Sequence, residues 1–479
     1  MILIKIIAVV LMGLSLNSYS KDFGGISNKN IKNSDIPIPT PSKGKIDEAI
    51  SKVGGRVEDG ANVVRDLITV NPVRELTIMV FMNAKNNLEA AGLYNINDME
   101  RIGSSDKVNI IVEAGRMNGQ EGDTHDDGDW IGVRRLYIKK DTDTKKINST
   151  VVYSKSGQNV YDMGDYKKVI EFVKWTKQKF PAKRYMLVLW DHGTGWLDPQ
   201  KKQEQSNKGI SFDDETGNYI ATEEIGKIVK EVGGVDILAF DACLMQMAEV
   251  LAEVKDYTKV VLGSEEVVPG YGYPYGLFLD AVVKNPNMSN EDIGRTVVAS
   301  FKKFYEYVKQ PAMLSAVRSN KVNQLNRLMA DFAQAAMAAD EIEALKKARA
   351  EIIRFDILGE DTDPNKKISF FGDVYNFADI VSKNITKNDE KSLNLKTKAD
   401  MLKNFIVNEL VVSRGHYGNE RAGKSLDLAF GVSAYFPPAE TRITMDRIDA
   451  ILKEPYANFK FAKETKWSDF VKFLYEKAK

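Results

Sequence analysis

Apolar residues along this chain gather into short unbroken runs, and stretches of helical spacing lie between them. Leu76 to Met82 has the pattern of a strand buried on both faces. A helical pattern over Glu89 to Ile102 follows, then two further strand-like runs, Val108 to Val112 and Val133 to Ile138. From Tyr166 to Lys179 the spacing predicts a helix. Asp165 is placed to cap its first turn, and Val169, Ile170, Val173 and Thr176 fall on one face. That helix leads into the apolar strand Tyr185 to Trp190. After a polar insert the pattern repeats: a helix near Thr222 to Val232, a strand Val235 to Phe240, and a helix beginning at Leu244 and continuing through Met247, Ala248, Leu251 and Val254. Strands alternating with helices predict an α/β domain with a largely parallel sheet. Beyond about Met288 helical patterns dominate, with one strand at Gly431 to Phe436.

The start of the chain reads differently. Lys5 supplies a basic beginning, Ile6 to Leu16 an apolar stretch, and Ser18, Tyr19 and Ser20 a cleavage site before Lys21, which together predict a signal peptide over residues 1–20. The apolar stretch is too short to span a bilayer, and no later one approaches the roughly 20 apolar residues a transmembrane helix needs. An exported, soluble mature protein is expected, secreted or held in the periplasm or cell envelope. Residues 21–72 are polar and broken by Pro37, Pro39 and Pro41, which predicts a linker or pro-region with one short helix near Ile46 to Val53.

Composition removes several partner classes. Over 479 residues Lys plus Arg and Asp plus Glu are equal at 67 each, so net charge favours neither nucleic acid nor an anionic membrane. Cys243 is the only cysteine, so no intramolecular disulfide forms despite the oxidising destination, and the lone thiol needs a reason.

The reason lies at two strand ends. Tyr185 to Trp190 runs directly into Asp191, His192 and Gly193, and Val235 to Phe240 into Asp241, Ala242 and Cys243. In open α/β sheets the carboxyl ends of parallel strands line the ligand crevice. If the two strands are neighbours, a thiol nucleophile and its proton-handling partner face one crevice from separate loops. The helix expected to begin at Leu244 would set Cys243 at a helix N-terminus, where the dipole favours thiolate. Backbone amides of Cys243 and Gly193 are then candidate donors to an oxyanion. The plain alternative, a packed cysteine and a hydrogen-bonded loop histidine, is disfavoured because the chain holds only three histidines and one cysteine. His125, in the acidic stretch Glu121 to Asp129, and His416, beside Tyr417 and Gly418, read as surface or loop residues.

Here the sequence resembles the clostripain-like cysteine peptidases of the caspase and gingipain clan. The run Tyr185 to Trp196 is similar to the first of the family's blocks and Phe240 to Glu249 to the second, with further similarity in Asn95 to Glu100, Met163 to Asp165 and Ser264 to Gly272. The resemblance implies a caspase-hemoglobinase-like fold: a largely parallel central sheet flanked by helices, with a caspase-like catalytic domain over residues 73–287 and a mainly helical C-terminal region over 288–479. It implies an endopeptidase in which Asp241 lies in the primary specificity pocket and receives a substrate Arg or Lys. A carboxylate in a crevice suits that role through a charge-assisted hydrogen bond, although a strand-end Asp also caps helices. The loop Ser264 to Tyr275, which holds Glu265, Glu266, Gly270, Tyr271 and Gly272, would form the other pocket wall, with the two glutamates either secondary acids or solvated loop residues. The resemblance further implies self-processing between the His and Cys strands. Asp198 to Asn218 reads as an exposed loop, with Lys208 the preferred cleavage site and Lys201 and Lys202 its rivals.

Lys85 and Gly115 stand where many family members carry acids. No cofactor is required by this chemistry. Calcium is left open: Asp123, Asp126, Asp127 and Asp129 cluster, but without the spacing of an EF-hand. Protein or peptide substrates are the expected partners. Two other readings share the fold, a same-clan peptidase or peptide ligase of different specificity and a non-catalytic surface-binding protein. The basic-residue pocket argues against the first and the His192 and Cys243 pair against the second.

Overall fold

The computed structural model describes residues 71–196, 209–355, 369–438 and 455–478. The expected signal peptide (1–20), nearly all of the linker (21–72), and Lys201, Lys202 and Lys208 lie outside the described residues.

In chain order the elements are β1 (Leu76–Ala84), α1 (Glu89–Glu100), β2 (Val108–Arg116), β3 (Gly132–Tyr137), β4 (Thr150–Ser156), α2 (Tyr166–Lys179) and β5 (Tyr185–Trp190). There follow β6 (Gly209–Asp213), β7 (Asn218–Ala221), α3 (Thr222–Glu231), β8 (Ile237–Asp241), α4 (Ala248–Val254), β9 (Val260–Gly263), α5 (Tyr275–Lys284) and α6 (Asn290–Val308). Then come β10 (Ala312–Arg318), α7 (Val322–Ala338), α8 (Ile342–Glu351), β11 (Arg354–Phe355), β12 (Phe371–Asp373), α9 (Val374–Asn384), α10 (Glu390–Phe405), β13 (Val411–Tyr417) and β14 (Ser433–Tyr435). The described chain closes with α11 (Lys460–Thr465) and α12 (Trp467–Lys477).

Nine strands form the central sheet in the order β13-β10-β9-β8-β5-β1-β2-β3-β4. The middle five, β9, β8, β5, β1 and β2, are parallel. An antiparallel pair flanks them on each side, β10 with β13 and β3 with β4. Alternate residues of the central strands feed two cores, as a period of two requires. Met79, Phe81, Leu187, Leu189, Leu238 and Phe240 pack on α2 and α3. Ile78, Val80, Met186, Val188, Ile237 and Ala239 pack on the other face against α1, α5 and α6. Both faces are buried, which explains why these strands read as continuous apolar runs rather than alternating ones. Asp165 caps α2 by accepting from the Lys167 amide at 2.9 Å.

Residues 288–479 are not a separate layer. Strands β10 and β13 from that stretch extend the same sheet past β9, so the sheet crosses the division expected at residues 287 and 288. The strand expected at Gly431 to Phe436 is β14, in a small sheet with β11 and β12. That region also packs onto the first half of the chain: Trp196, fully buried, meets Phe371, Tyr435, Tyr456 and Phe459.

The expected exposed loop Asp198 to Asn218 is corrected in its second half. Gly209–Asp213 and Asn218–Ala221 form the hairpin β6–β7, and Ile210 is fully buried. The buried Lys85 ammonium holds this hairpin, ion-paired with Glu215 and with Asp213. Gly115 is equally specific, since a Cβ there would meet Met163 Cγ at 2.7 Å. Among the described residues no helix is long and apolar enough to cross a membrane.

Candidate active site

Strands β5 and β8 are parallel neighbours in register, Trp190 beside Asp241. Their carboxyl ends therefore release His192 and Cys243 on the same side of the sheet, and both line one cavity together with Asp241, Val268, Gly270 and Gly272. The His192 and Cys243 side chains are half-buried, open enough to meet a substrate.

The thiol is set by a turn, not by a helix. The expected helix from Leu244 begins only at Ala248, so Cys243 does not sit at a helix N-terminus. Leu244 adopts φ of 61°, a left-handed conformation that costs a bulky residue about 1–3 kcal/mol. It persists because both sides of the turn are pinned: the Leu244 amide donates to the Glu266 carbonyl at 3.3 Å, and the Gln246 amide to the Ser264 carbonyl at 3.0 Å. Met247 then pairs as an isolated bridge with Ser433 before the helix starts. In place of a helix dipole, the sulfur receives the Val268 N–H at 3.3 Å.

On the other side, His192 Nε2 lies 2.8 Å from Asn87 Oδ1. An acceptor oxygen there favours the tautomer that carries its proton on Nε2. The preceding Asp191 is buried and accepts from Asn86 Nδ2 at 2.7 Å and from the Phe212 amide of β6, while burial pushes its carboxyl well up. Adjacent asparagines after β1 thus hold both Asp191 and His192. Gly193 meets the Cys243 backbone: a Cβ there would stand 2.4 Å from the Cys243 carbonyl oxygen.

Asp241 forms the floor. It is 4% exposed and accepts the Tyr273 N–H on both oxygens, at 3.1 and 3.0 Å, and the Tyr275 hydroxyl on Oδ2 at 2.9 Å. It has no cationic partner among the described residues, and burial pushes it from the ordinary 3.8 up to about 7.

A model of the clostripain family matches residues 80–473, most of the chain. The chain belongs to the clostripain family. Clostripain of Hathewaya histolytica is 27% identical over 237 residues, which are 46% of this chain and 45% of that protein, so the match spans less than half of the relative's length. A secreted C11 cysteine protease from Bacteroides thetaiotaomicron, solved with an irreversible peptide inhibitor, superposes with a TM-score of 0.57 at 18% identity and covers 82% of this chain and 99% of that one. An inactive zymogen C11 protease from Parabacteroides distasonis also gives 0.57, at 16% identity, over 83% of this chain and 99% of that one. At such identities the likeness to solved structures is one of fold.

Within this clostripain-family site the second pocket wall differs from expectation. Gly270 and Gly272 line the cavity, but Glu265, Glu266 and Tyr271 do not. Neither glutamate is a solvated loop acid. Glu265 is fully buried, accepts the Gly431 amide at 2.7 Å and lies against Asp373; burial first, and that neighbouring carboxyl second, push it well up. Glu266 folds back to take the Val267 amide at 2.8 Å. Tyr271 turns its ring toward Tyr94 and Phe304, and its carbonyl accepts Asn95 Nδ2 at 2.9 Å.

The acid cluster is locally engaged. Asp123 accepts the Gly119 amide, Asp127 accepts Trp130 Nε1 and the Ile147 amide, and Asp129 pairs with His125. Among the described residues no three His, Cys, Asp or Glu side chains converge as a metal ion needs. His125 is exposed, whereas His416 lies on the edge strand β13, bonded to Asp427. Asn87 was not singled out from the sequence, and Tyr273 and Tyr275 entered only as part of the loop Ser264 to Tyr275, with no role of their own. The short spacing from β1 to Asn87 was the one available signal for the first, and the tyrosines gave none, since their contacts with Asp241 are tertiary.

Proposed function

We propose that the chain is an exported cysteine endopeptidase that cuts peptide bonds after Arg or Lys, with Cys243 as nucleophile and His192 as its acid–base partner. The observation that carries the reading is a buried carboxyl, Asp241, facing the same cavity as the thiol and the imidazole, with no cation beside it among the described residues. Burying an acid this way is unfavourable unless a positive group arrives to meet it. A substrate Lys or Arg is that group. The Val268 backbone, already against the thiol, suits an extended peptide lying along the loop.

In the reaction His192 Nδ1 takes the thiol proton as the sulfur attacks the carbonyl carbon, and the carbonyl π electrons move to oxygen. Backbone amides of Gly193 and Cys243 are the proposed donors to that oxyanion. As the intermediate collapses, the C–N bond breaks and the imidazolium returns its proton to the leaving amine. Water, deprotonated by His192, then attacks the thioester and expels the thiolate. Asn87 Oδ1 anchors the imidazole through Nε2. The chemistry uses no metal or cofactor.

Self-processing after Lys208 belongs to the same proposal. Gly209 begins β6, and its carbonyl accepts the Thr194 amide two residues past His192 at 3.0 Å, so a cut there would fall beside the site. The test is a panel of fluorogenic peptides ending in Arg, Lys, Asn or Asp, run against wild type and Cys243→Ala. Hydrolysis confined to the basic peptides and abolished by the substitution supports the proposal; turnover unchanged by it sinks the mechanism.

A further inference from the structure

The two oxygens of Asp241 are not equivalent, and the difference bears on which cation the pocket takes. Oδ2 holds the Tyr275 hydroxyl at 2.9 Å and half of the Tyr273 N–H at 3.0 Å; Oδ1 holds only the other half, at 3.1 Å. The N–H lies across the carboxylate and the hydroxyl fills one end of it. Neither donor can swing aside. Tyr275 is fully buried as the first residue of α5, its ring packed at 5.4 Å from Phe278 and 6.3 Å from Tyr273. Tyr273 is fully buried too, with its own hydroxyl on the Phe240 carbonyl at 2.9 Å.

A guanidinium reaches full strength by placing two parallel N–H groups on two open carboxylate oxygens. That arrangement is hindered here twice over, because the Tyr273 N–H spans both oxygens and the Tyr275 hydroxyl takes a further position on Oδ2. An ammonium is a compact charge that needs one oxygen and completes its bonds with whatever acceptors stand nearby. Oδ1 keeps an open position, and Asn95 Oδ1 stands nearby: a Cβ on Gly272 would lie 2.9 Å from both Asp241 oxygens and 3.1 Å from the Asn95 oxygen. Gly272, at φ of 63°, lies over these buried acceptors, and its missing side chain leaves room beside them.

We propose that Tyr275 is a specificity-determining residue that makes the pocket prefer Lys over Arg at the cleavage site, by occupying the carboxylate position a guanidinium fork requires. The inference rests on Asp241 being the group that meets the substrate cation. Tyr275 acts through Asp241 and touches no reacting atom.

The experiment compares two peptides identical except for Lys or Arg before the scissile bond, by kcat/KM, in wild type, Tyr275→Phe and Asp241→Asn. Wild type should favour Lys by roughly tenfold, the size of one charge-assisted hydrogen bond. Tyr275→Phe, which removes one of the two donors on Oδ2 while keeping the ring and the Tyr273 N–H, should narrow the ratio by raising the Arg rate, and Asp241→Asn should depress both. Arg cleaved as well as or better than Lys by wild type overturns the inference, whether or not the variant folds, and so does a ratio unmoved in a folded Tyr275→Phe. Either result leaves the basic-residue peptidase standing. Cleavage of neither peptide, by contrast, removes that reading and this inference with it.

Discussion

Replacing Asp241 by Asn should make the protein more stable and less active at once. In the unfolded chain this carboxyl ionises near 3.8, whereas burial in the folded pocket, only partly offset by the Tyr273 amide and Tyr275 hydroxyl, lifts it to about 7. Between those values the folded state holds a proton that the unfolded state has released. Stability therefore falls as pH rises from about 4 to about 7, and the loss is complete above that window. The gap corresponds to roughly 4 kcal/mol, an upper bound that local relaxation lowers. Asn has the same shape, keeps an oxygen for the two tyrosine donors, places its amide where Oδ1 was, and never ionises. Asp241→Asn should gain about 2–4 kcal/mol over wild type at pH 8, with the difference closing below pH 4. Urea unfolding measured across pH 4 to 8, with Cys243→Ala in both proteins to prevent self-digestion, reads this directly. In the active background the same substitution should cost at least about tenfold in kcat/KM on basic peptides. A variant less stable than wild type at pH 8, or a difference that ignores pH, would refute the account of an uncompensated buried acid.

Three further outcomes are expected. Asn87→Ala should lower kcat by about 10- to 100-fold with little change in KM, because the imidazole loses the acceptor that fixes its tautomer; an unaltered kcat would show that His192 is held by other contacts. Gly193→Ala must move either its own loop or the Cys243 carbonyl, so it should lower the unfolding midpoint, and if these backbones form the oxyanion site its kcat should fall roughly 100-fold at temperatures where the variant is still folded. Wild type and Cys243→Ala, expressed side by side, should differ by a new N-terminus at Gly209 in the active form alone; a fully active protein that stays a single chain would dismiss self-cleavage.

The parallel heart of the fold was legible because its strands are buried on both sides. Tyr185 to Trp190 and Ile237–Asp241 carry no polar residue before their last position, and each leads straight into a chemically loaded loop. Other strands hid for reasons that sequence pattern cannot reach. Strand β9 is only four residues long, and β10 reads Ala, Met, Leu, Ser, Ala, a run of good helix formers that tertiary pairing overrides. The helix start failed in an instructive way. Leu244 and Met247 fit the spacing of α4 yet are buried for other causes, the first in a left-handed turn and the second in a bridge to Ser433. Glu265 and Glu266 looked solvated because nothing local marks burial of an acid, and the partner of Glu265, Asp373, is distant in sequence. His192, Cys243 and Asp241 could be placed on one cavity from sequence because they adjoin strand ends; the contacts of Asn87 and Tyr275 could not, because they bridge separate elements.

The strand order carries a consequence for anyone seeking a minimal working enzyme. A fragment stopped at residue 287 keeps every side chain named in the proposed reaction, yet it turns β9 into an open border with no β10 beside it and strips the aromatic cage from Trp196. An uncovered strand of that kind recruits other chains. The loop that follows β9 is the one touching the thiol, so loss of its footing reaches the nucleophile directly. What looks from the chemistry like an accessory half is a structural creditor of the site, and trimming it should yield aggregates before it yields a smaller peptidase.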